Sequence, residues 1–400
     1  MHRPLLIAAL LAAAPLAARE PAPPRGLTVD RVVVLMRHGV RPPTKSPPMP
    51  KGYARDPWPG WSVPPGHLTL HGAQAVRLAA RYDRAEWIAA GLLPRRGCPR
   101  VRVVADSDQR TIATAEHYAA ALAPGCATTV EHKPQGVPDP LFSPIEEGAV
   151  AFDAEAARRA VLADAGPEGI AAEARRLGPL IARLDAILCG GATPTCGVGR
   201  EPTALAPSKP GEEPELTGAL DRGSTAAQIL LLQYADGKPM TEVGWGRATA
   251  ADVTALSELH AAEFRLVARP RYMAKVNLAL LAPLIAGSLS DAAPAVTMIS
   301  GHDTDVASLG GLLGLHWRVP GLAADDPAPG GAIILQRLRD RAGRSYVRAL
   351  YRSQTPAQIR ALTPFERAQP YVAVLPIMGC RARKLDGLCP LADADDALRR

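Results

Sequence analysis

An α/β fold, with a mixed, mostly parallel sheet flanked by helices, is predicted by three stretches of this 400-residue chain: Val32–Met36, Val101–Ala105 and Ala295–Ile299. Each is an apolar, β-branched run of the kind that forms a buried strand. Each ends in a polar cluster, and helical patterning follows, the alternation expected of a sheet covered on both faces. Between residues 138 and 269 such runs are lacking and helical patterns take over, which predicts an all-α insertion.

At the N-terminus, His2 and Arg3 precede an apolar stretch from about Leu5 to Leu16 and then Ala17 and Ala18. This reads as a secretory signal peptide over residues 1–18, too short to cross a membrane. Ala12-x-Ala14 also fits the small-residue cleavage rule, so a second cut remains open. Removal of Arg3 would change the formal charge from +7 to +6. A modest positive charge suits anionic substrates through long-range attraction. No basic tract interleaved with aromatics occurs, so neither nucleic acid nor a membrane surface is expected as a partner. A monomer is expected. The composition, 47% apolar and 21% charged, is that of a globular protein.

The strand Val32–Met36 delivers Arg37-His38-Gly39-Val40-Arg41-Pro42-Pro43. Gly39 would allow a sharp turn. Ligands of open α/β sheets bind outside the carboxyl ends of strands, and two arginines flanking one histidine suit a phosphoryl group held against an imidazole. A buried histidine paired with a backbone carbonyl is the plainer alternative. The Pro/Gly/Trp-rich stretch Lys45–Gly66 then reads as a long loop over the strand ends. Thr69 is placed to cap a helix running to about Leu93.

The strand Val101–Ala105 leads into Asp106-Ser107-Asp108-Gln109-Arg110-Thr111 and an alanine-rich helix to about Leu122. Arg110 falls in its first turn, where backbone N–H groups also favour an anion. Ala295–Ile299 delivers Ser300-Gly301-His302-Asp303-Thr304-Asp305 and the helical pattern Val306–Leu315. Asp303 by itself would ordinarily be a helix cap, and Arg110 by itself a surface charge. Three strand ends carrying complementary phosphate chemistry make a site. Mg²⁺ ligation by Asp106, Asp108, Asp303 and Asp305 is the competing reading, and clustered arginines oppose it.

Helical candidates in the insertion are Asp153–Leu188, Thr217–Ala235 and Ala251–Ala268. Ala332–Leu338, Ser345–Tyr351 and Tyr371–Ile377 complete the sheet, and the tail after Leu391 is expected to fray. Six cysteines in an exported chain suggest disulfides. By position the pairs are Cys98–Cys126 around one strand-helix unit, Cys189–Cys196 around a Gly/Pro/Thr loop and Cys380–Cys389 near the end. Zinc is the rival, without Cys-x-x-Cys spacing to support it.

Arg37-His38-Gly39-x-Arg41-x-Pro43 and Gly301-His302-Asp303-Thr304 resemble the two signatures of the histidine acid phosphatases, the acid phosphatase and phytase branch of the histidine phosphatase superfamily. Smaller echoes occur at Asp56-Pro57-Trp58-Pro59, Asp139-Pro140-Leu141-Phe142, Gly244-Trp245-Gly246-Arg247 and Pro329-Gly330-Gly331. They are most similar to those of bacterial periplasmic phytases and glucose-1-phosphatases. The resemblance implies an α/β catalytic domain over residues 19–137 and 270–400, a helical cap over 138–269, and substrate between them. It implies His38 as nucleophile, Asp303 as proton donor, and Arg37, Arg41, Arg110 and His302 as phosphate-binding groups. No cofactor or metal is implied. Thr44, Lys45, Asp106, Glu242 and Thr304 are the expected substrate contacts, and Arg41-x-Pro43-Thr44-Lys45 resembles the phytase form of the signature. Pro42 in place of the usual alanine, and the lack of cysteines for the fourth disulfide of enteric phytases, are departures. The expected activity is that of an exported, metal-independent acid phosphatase, favouring inositol hexakisphosphate. Glucose 1-phosphate or other sugar phosphates are the runner-up, and a non-catalytic periplasmic anion-binding protein is the reading from another class.

Overall fold

The structure is a computed structural model that describes residues 21–191, 195–380 and 387–399. The expected signal peptide lies outside the described residues. The chain begins with β1 (Leu27–Arg37), α1 (Leu70–Ala89), β2 (Val101–Ala105), α2 (Gln109–Leu122) and β3 (Val130–Glu131). Next come α3 (Ala154–Asp164), α4 (Gly169–Cys189), the short pair β4 (Ala204–Leu205) and β5 (Leu216–Thr217), α5 (Ala219–Ala235) and α6 (Ala250–Val267). Two short helices, α7 (Arg271–Asn277) and α8 (Leu281–Ser288), precede β6 (Val296–Gly301) and α9 (Asp303–Leu313). The chain closes with β7 (Ala332–Asp340), β8 (Ser345–Ser353), α10 (Pro356–Ala361), β9 (Tyr371–Leu375), β10 (Leu388–Pro390) and α11 (Leu391–Arg399).

The main sheet has the order β10-β8-β7-β1-β6-β2-β3, with β9 also paired to β8. β1, β6, β2 and β3 are mutually parallel, and β7, β8, β9 and β10 are joined through antiparallel ladders. β8 thus runs with β1, so five of the eight strands share one direction, as the mixed sheet expected from the sequence requires. The parallel register aligns Arg37 with Gly301 and Ala105 with Ser300. That alignment brings the three polar clusters to one edge.

Alternation along β1 explains why both faces are covered. Val32, Val34 and Met36 pack with Val76, Trp87, Ile112 and Tyr118 of α1 and α2. Val33 and Leu35 point the other way, into a core shared with Val306 and Leu309 of α9 and with Leu184, Leu230, Leu256 and Leu259 of α4, α5 and α6. The helical segment therefore packs continuously with one face of the sheet.

The expected helix over 153–188 is broken: α3 ends at Asp164, Gly166 takes φ +77°, and Pro167 follows. A proline at that point interrupts helical hydrogen bonding. The expected frayed tail is instead α11, anchored by buried Ala394 and Leu398. The three disulfides pair as the positions suggested: Cys98–Cys126, Cys189–Cys196 and Cys380–Cys389. No helix among the described residues is long and apolar enough to cross a membrane.

Candidate active site

β1 ends at Arg37, and the backbone N–H of His38 donates to the Gly301 carbonyl at 2.9 Å, tying the first polar cluster to the third. Gly39 serves close packing rather than an unusual turn. Its φ is not positive, but a Cβ there would stand 2.8 Å from Leu68 and 2.9 Å from Val76. On the facing helix, a Cβ at Gly72 would sit 2.5 Å from the Val40 carbonyl oxygen. Thr69 caps α1, its hydroxyl accepting from Gly72 N–H at 2.9 Å. Two glycines and one cap thus press the first cluster against the start of α1.

His38 is 1% exposed. Its Nδ1 lies 2.9 Å from the Gly39 carbonyl, which can only accept, so Nδ1 carries the proton and donates. The lone pair is left on Nε2, which Arg41 Nε approaches at 3.4 Å. Burial holds the imidazole well below its usual pKa, and Arg41, Arg110, Arg37 and His302 push it the same way. Both effects favour the neutral ring. This is both the carbonyl-paired histidine of the plainer alternative and an imidazole with an unprotonated nitrogen facing cations.

Arg37, also 1% exposed, is fixed from three sides. It donates to the Pro327 carbonyl at 2.6 Å and to Gln228 Oε1 at 3.0 Å, and its Nη2 lies 2.8 Å from Asp303 Oδ2. Arg41 donates to the Pro42 carbonyl at 3.0 Å. Burial, helped by Arg110, lowers its pKa to about 10, so it stays charged at neutral and acid pH. Arg110, in the first turn of α2 as expected, pairs with Asp108 at 2.6 Å and lies 3.5 Å from His302 Nδ1.

Asp305, rather than Asp303, takes the capping role at α9: its carboxylate accepts from His302 N–H at 2.7 Å. Asp303 is thereby free to face Arg37. Burial alone would raise the Asp303 carboxyl, but Arg37 and His260 together hold it well below the usual carboxylate range. Asp106 lies beside His302 rather than in the cleft, its Oδ2 2.6 Å from Nε2. The His38 and His302 rings meet edge to face, with centroids 5.7 Å apart.

A cleft of about 440 Å³ is lined by Arg37, Arg41, Thr44, Lys45, Asp303 and Thr304 among others, with His38 and Arg110 outside its lining. Glu242 is not brought to it. That side chain is exposed at the turn before Gly244, with Lys238 Nζ at 3.5 Å. Besides Asp303, the acidic residues that line the cleft are Glu213 and Glu263, and burial raises each to about 7. Two of the sequence echoes meet nearby: Trp245 Nε1–H donates to the Pro57 carbonyl at 2.7 Å, and Arg247 pairs with Asp56 at 2.7 Å.

Sequence reasoning missed Gln228 on α5 and His260 on α6. Gln228 lies in an apolar helical stretch and His260 in a helix with other polar residues around it, and no local motif marks either. Among the described residues, Asp106, Asp108 and His302 form the one set whose ligand atoms cluster closely enough to hold a metal ion. The Arg110 guanidinium already occupies Asp108, and a cation there would face its charge.

Fold and site together define an α/β protein whose sheet gathers Arg37, Arg41 and Arg110 around a buried histidine at its carboxyl edge. The chain belongs to the histidine phosphatase superfamily (branch 2), whose sequence pattern matches residues 28–168 and 273–352. It is 35% identical over 393 residues to the phytase AppA of Escherichia coli K12, covering 92% of this chain and 90% of that one. The glucose-1-phosphatase of Salmonella typhimurium is 29% identical over 395 residues, covering 94% of this chain and 93% of that one. Among solved structures, the Hafnia alvei phytase in complex with tartrate superposes with a TM-score of 0.86 at 34% identity, covering 94% of this chain and 97% of that one.

Proposed function

We propose that this chain is an exported, metal-independent acid phosphatase that hydrolyses phosphate monoesters through a phosphohistidine, with inositol hexakisphosphate as its favoured substrate. The observation that carries the reading is the tautomer of His38: its proton is committed to Gly39, and its unprotonated Nε2 accepts from Arg41. Binding an anion requires neither an unprotonated imidazole nitrogen nor a carboxylate poised beside it.

A phosphate monoester resists attack because its oxygens repel nucleophiles. Arg37, Arg41 and Arg110 neutralise and orient those oxygens, and such preorganised charge is commonly the largest catalytic contribution. His38 Nε2 then attacks phosphorus in line, the ester P–O bond breaks, and the phosphoryl group rests on the imidazole. Asp303 gives the leaving oxygen its proton and afterwards takes one from the water that hydrolyses the intermediate. Before a phosphate binds, Arg37 keeps that carboxyl ionised. The negative charge of a bound phosphate offsets Arg37 and restores its affinity for a proton.

Lys45 at the cleft mouth suits a second phosphate of a polyphosphorylated substrate, and the phytase relatives favour the same choice. Glucose 1-phosphate remains the second reading, supported by the glucose-1-phosphatase relatives. We read residues 138–269 as a cap over the site, supported by the family pattern's skipping residues 169–272. Three disulfides suit export to an oxidising compartment.

The test compares hydrolysis of inositol hexakisphosphate and glucose 1-phosphate at mildly acidic pH, with excess chelator present. The reading expects faster turnover of the first, and a phosphohistidine trapped by acid quench. Dependence on a metal, or activity that survives His38→Ala, would overturn it.

A further inference from the structure

We propose that His260 is a positioning residue that works through Asp303: it holds the proton that Asp303 passes to the leaving group, and Asp326 fixes the ring that carries it. The proposal rests on the phosphatase reading above and adds to it a source for the proton.

Asp326 is fully buried, and its Oδ1 lies 2.6 Å from His260 Nδ1, so Nδ1–H donates to the carboxylate. The Asp326 segment is itself pinned, with Trp317 Nε1–H donating to its carbonyl at 3.1 Å and Ala328 N–H donating to the Tyr351 hydroxyl at 3.0 Å. The Phe264 ring packs on the imidazole, centroids 4.5 Å apart. So held, the 4%-exposed His260 turns its Nε2 toward Asp303 Oδ2 at 3.6 Å. Separations of this size tighten on substrate binding in many catalytic pairs. The constellation repeats the logic by which a buried carboxylate fixes an imidazole tautomer for proton transfer.

Charged and titratable groups face the ring from several elements: Asp326 before β7, Asp303 on α9, Arg37 on β1 and Glu263 one turn along α6. Tyr351 of β8 stands near Asp326. Burial and Arg37 lower the His260 pKa, but Asp326 and Asp303 outweigh them and raise it to about 8. It is therefore an imidazolium throughout the acid range. Asp303 needs such a neighbour, because its other partners, Arg37 and the Thr304 N–H, do not give up protons at these pH values.

In the first half-reaction the Nε2 proton of His260 moves to Asp303 Oδ2 as Asp303 delivers a proton to the ester oxygen. The P–O electron pair leaves on that oxygen, and the His38 Nε2–P bond forms. In the second, water attacks phosphorus, one of its protons returns through Asp303 to His260, and the N–P pair reverts to His38. Inorganic phosphate leaves and the imidazolium is restored.

The test measures kcat against pH for the unmodified chain, His260→Asn, His260→Gln and Asp326→Asn on inositol hexakisphosphate and on 4-nitrophenyl phosphate, with inorganic phosphate binding as a check that the site persists. The relay expects losses of about 10²-fold on the alkyl ester for both His260 variants, and much smaller losses on the activated ester. It also expects the basic limb of kcat to move to lower pH, because Asp303 must then retain its proton beside Arg37 unaided. Asp326→Asn should move the same limb in the same direction by less. Near-normal activity in His260→Gln, or equal losses on both esters with an unmoved limb, would overturn the relay alone. Failure of the unmodified chain to cleave either ester would overturn the phosphatase reading itself, and the relay with it.

Discussion

Arg37 Nη2 lies 2.8 Å from Asp303 Oδ2, joining the end of β1 to the start of α9 across the parallel register that aligns Arg37 with Gly301. The contact keeps the carboxylate ionised until a phosphate draws the guanidinium's charge to itself. In the proposed mechanism, proton donation is thus conditional on substrate. Asp303→Asn should slow turnover of inositol hexakisphosphate by about 10²-fold or more, while 4-nitrophenyl phosphate, whose leaving group needs no proton, loses far less. Steady-state rates on the two esters check this, and equal losses would remove Asp303 from the proton-donor role.

In the proposed mechanism, the pKa of His38 sets the acid limb of kcat/KM. Burial, Arg41 and Arg110 hold the imidazole well below its ordinary value, so the free enzyme keeps a usable lone pair at acid pH. Arg41→Gln removes the first of the charged neighbours. The His38 pKa should rise, the acid limb should move toward neutral pH, and kcat/KM should fall by about 10²-fold through loss of one phosphate donor. A pH–rate profile in which the limb stays in place would contradict the electrostatic account.

Glu263 gives a stability prediction with a definite sign. Burial raises its folded-state pKa from 4.5 to about 7. The folded chain therefore holds a proton between those values that the unfolded chain has released. The contribution is fully present below pH 4.5 and is lost as pH rises through 7, by at most about 3 kcal/mol. Glu263→Gln should flatten that dependence, so that its Tm relative to the unmodified chain improves steadily from pH 4.5 to 7. Parallel Tm curves would show that the carboxyl is hydrated in the folded state.

How much of this was legible in the sequence follows from how local each feature is. Arg37, His38, Arg41, Arg110, His302 and Asp303 sit at the ends of apolar strands, and the parallel pairing that brings them together is itself dictated by those strands. Gln228 and His260 come from α5 and α6, and the Gln228–Arg37 contact spans 191 residues of chain. Only the packing of α5 and α6 against the sheet puts them at the site, and a lone glutamine or histidine in a leucine- and alanine-rich helix carries no trace of it. Glu242 shows the converse: a residue just before a recognisable echo, yet turned outward beside Lys238. Likewise α11 needed only Ala394 and Leu398 as anchors, too sparse a pattern to separate from a frayed tail.

The disulfides differ in the length of chain they close, and this orders their contributions. Cys98–Cys126 spans 28 residues and links the segment before β2 to the one after α2, whereas Cys189–Cys196 spans 7. In the chain-entropy account the longer loop restrains the unfolded state by about 3–4 kcal/mol and the shorter by about 2–3 kcal/mol. The double replacement Cys98→Ala with Cys126→Ala should therefore lower the denaturant midpoint more than Cys189→Ala with Cys196→Ala. Neither pair touches the phosphate site, so kcat at a temperature where both variants are folded should stay near that of the unmodified chain. Equilibrium unfolding beside steady-state kinetics separates the two effects, and a larger loss from the Cys189–Cys196 pair would mean that folded-state packing at the end of α4, rather than loop entropy, sets the value of that bond.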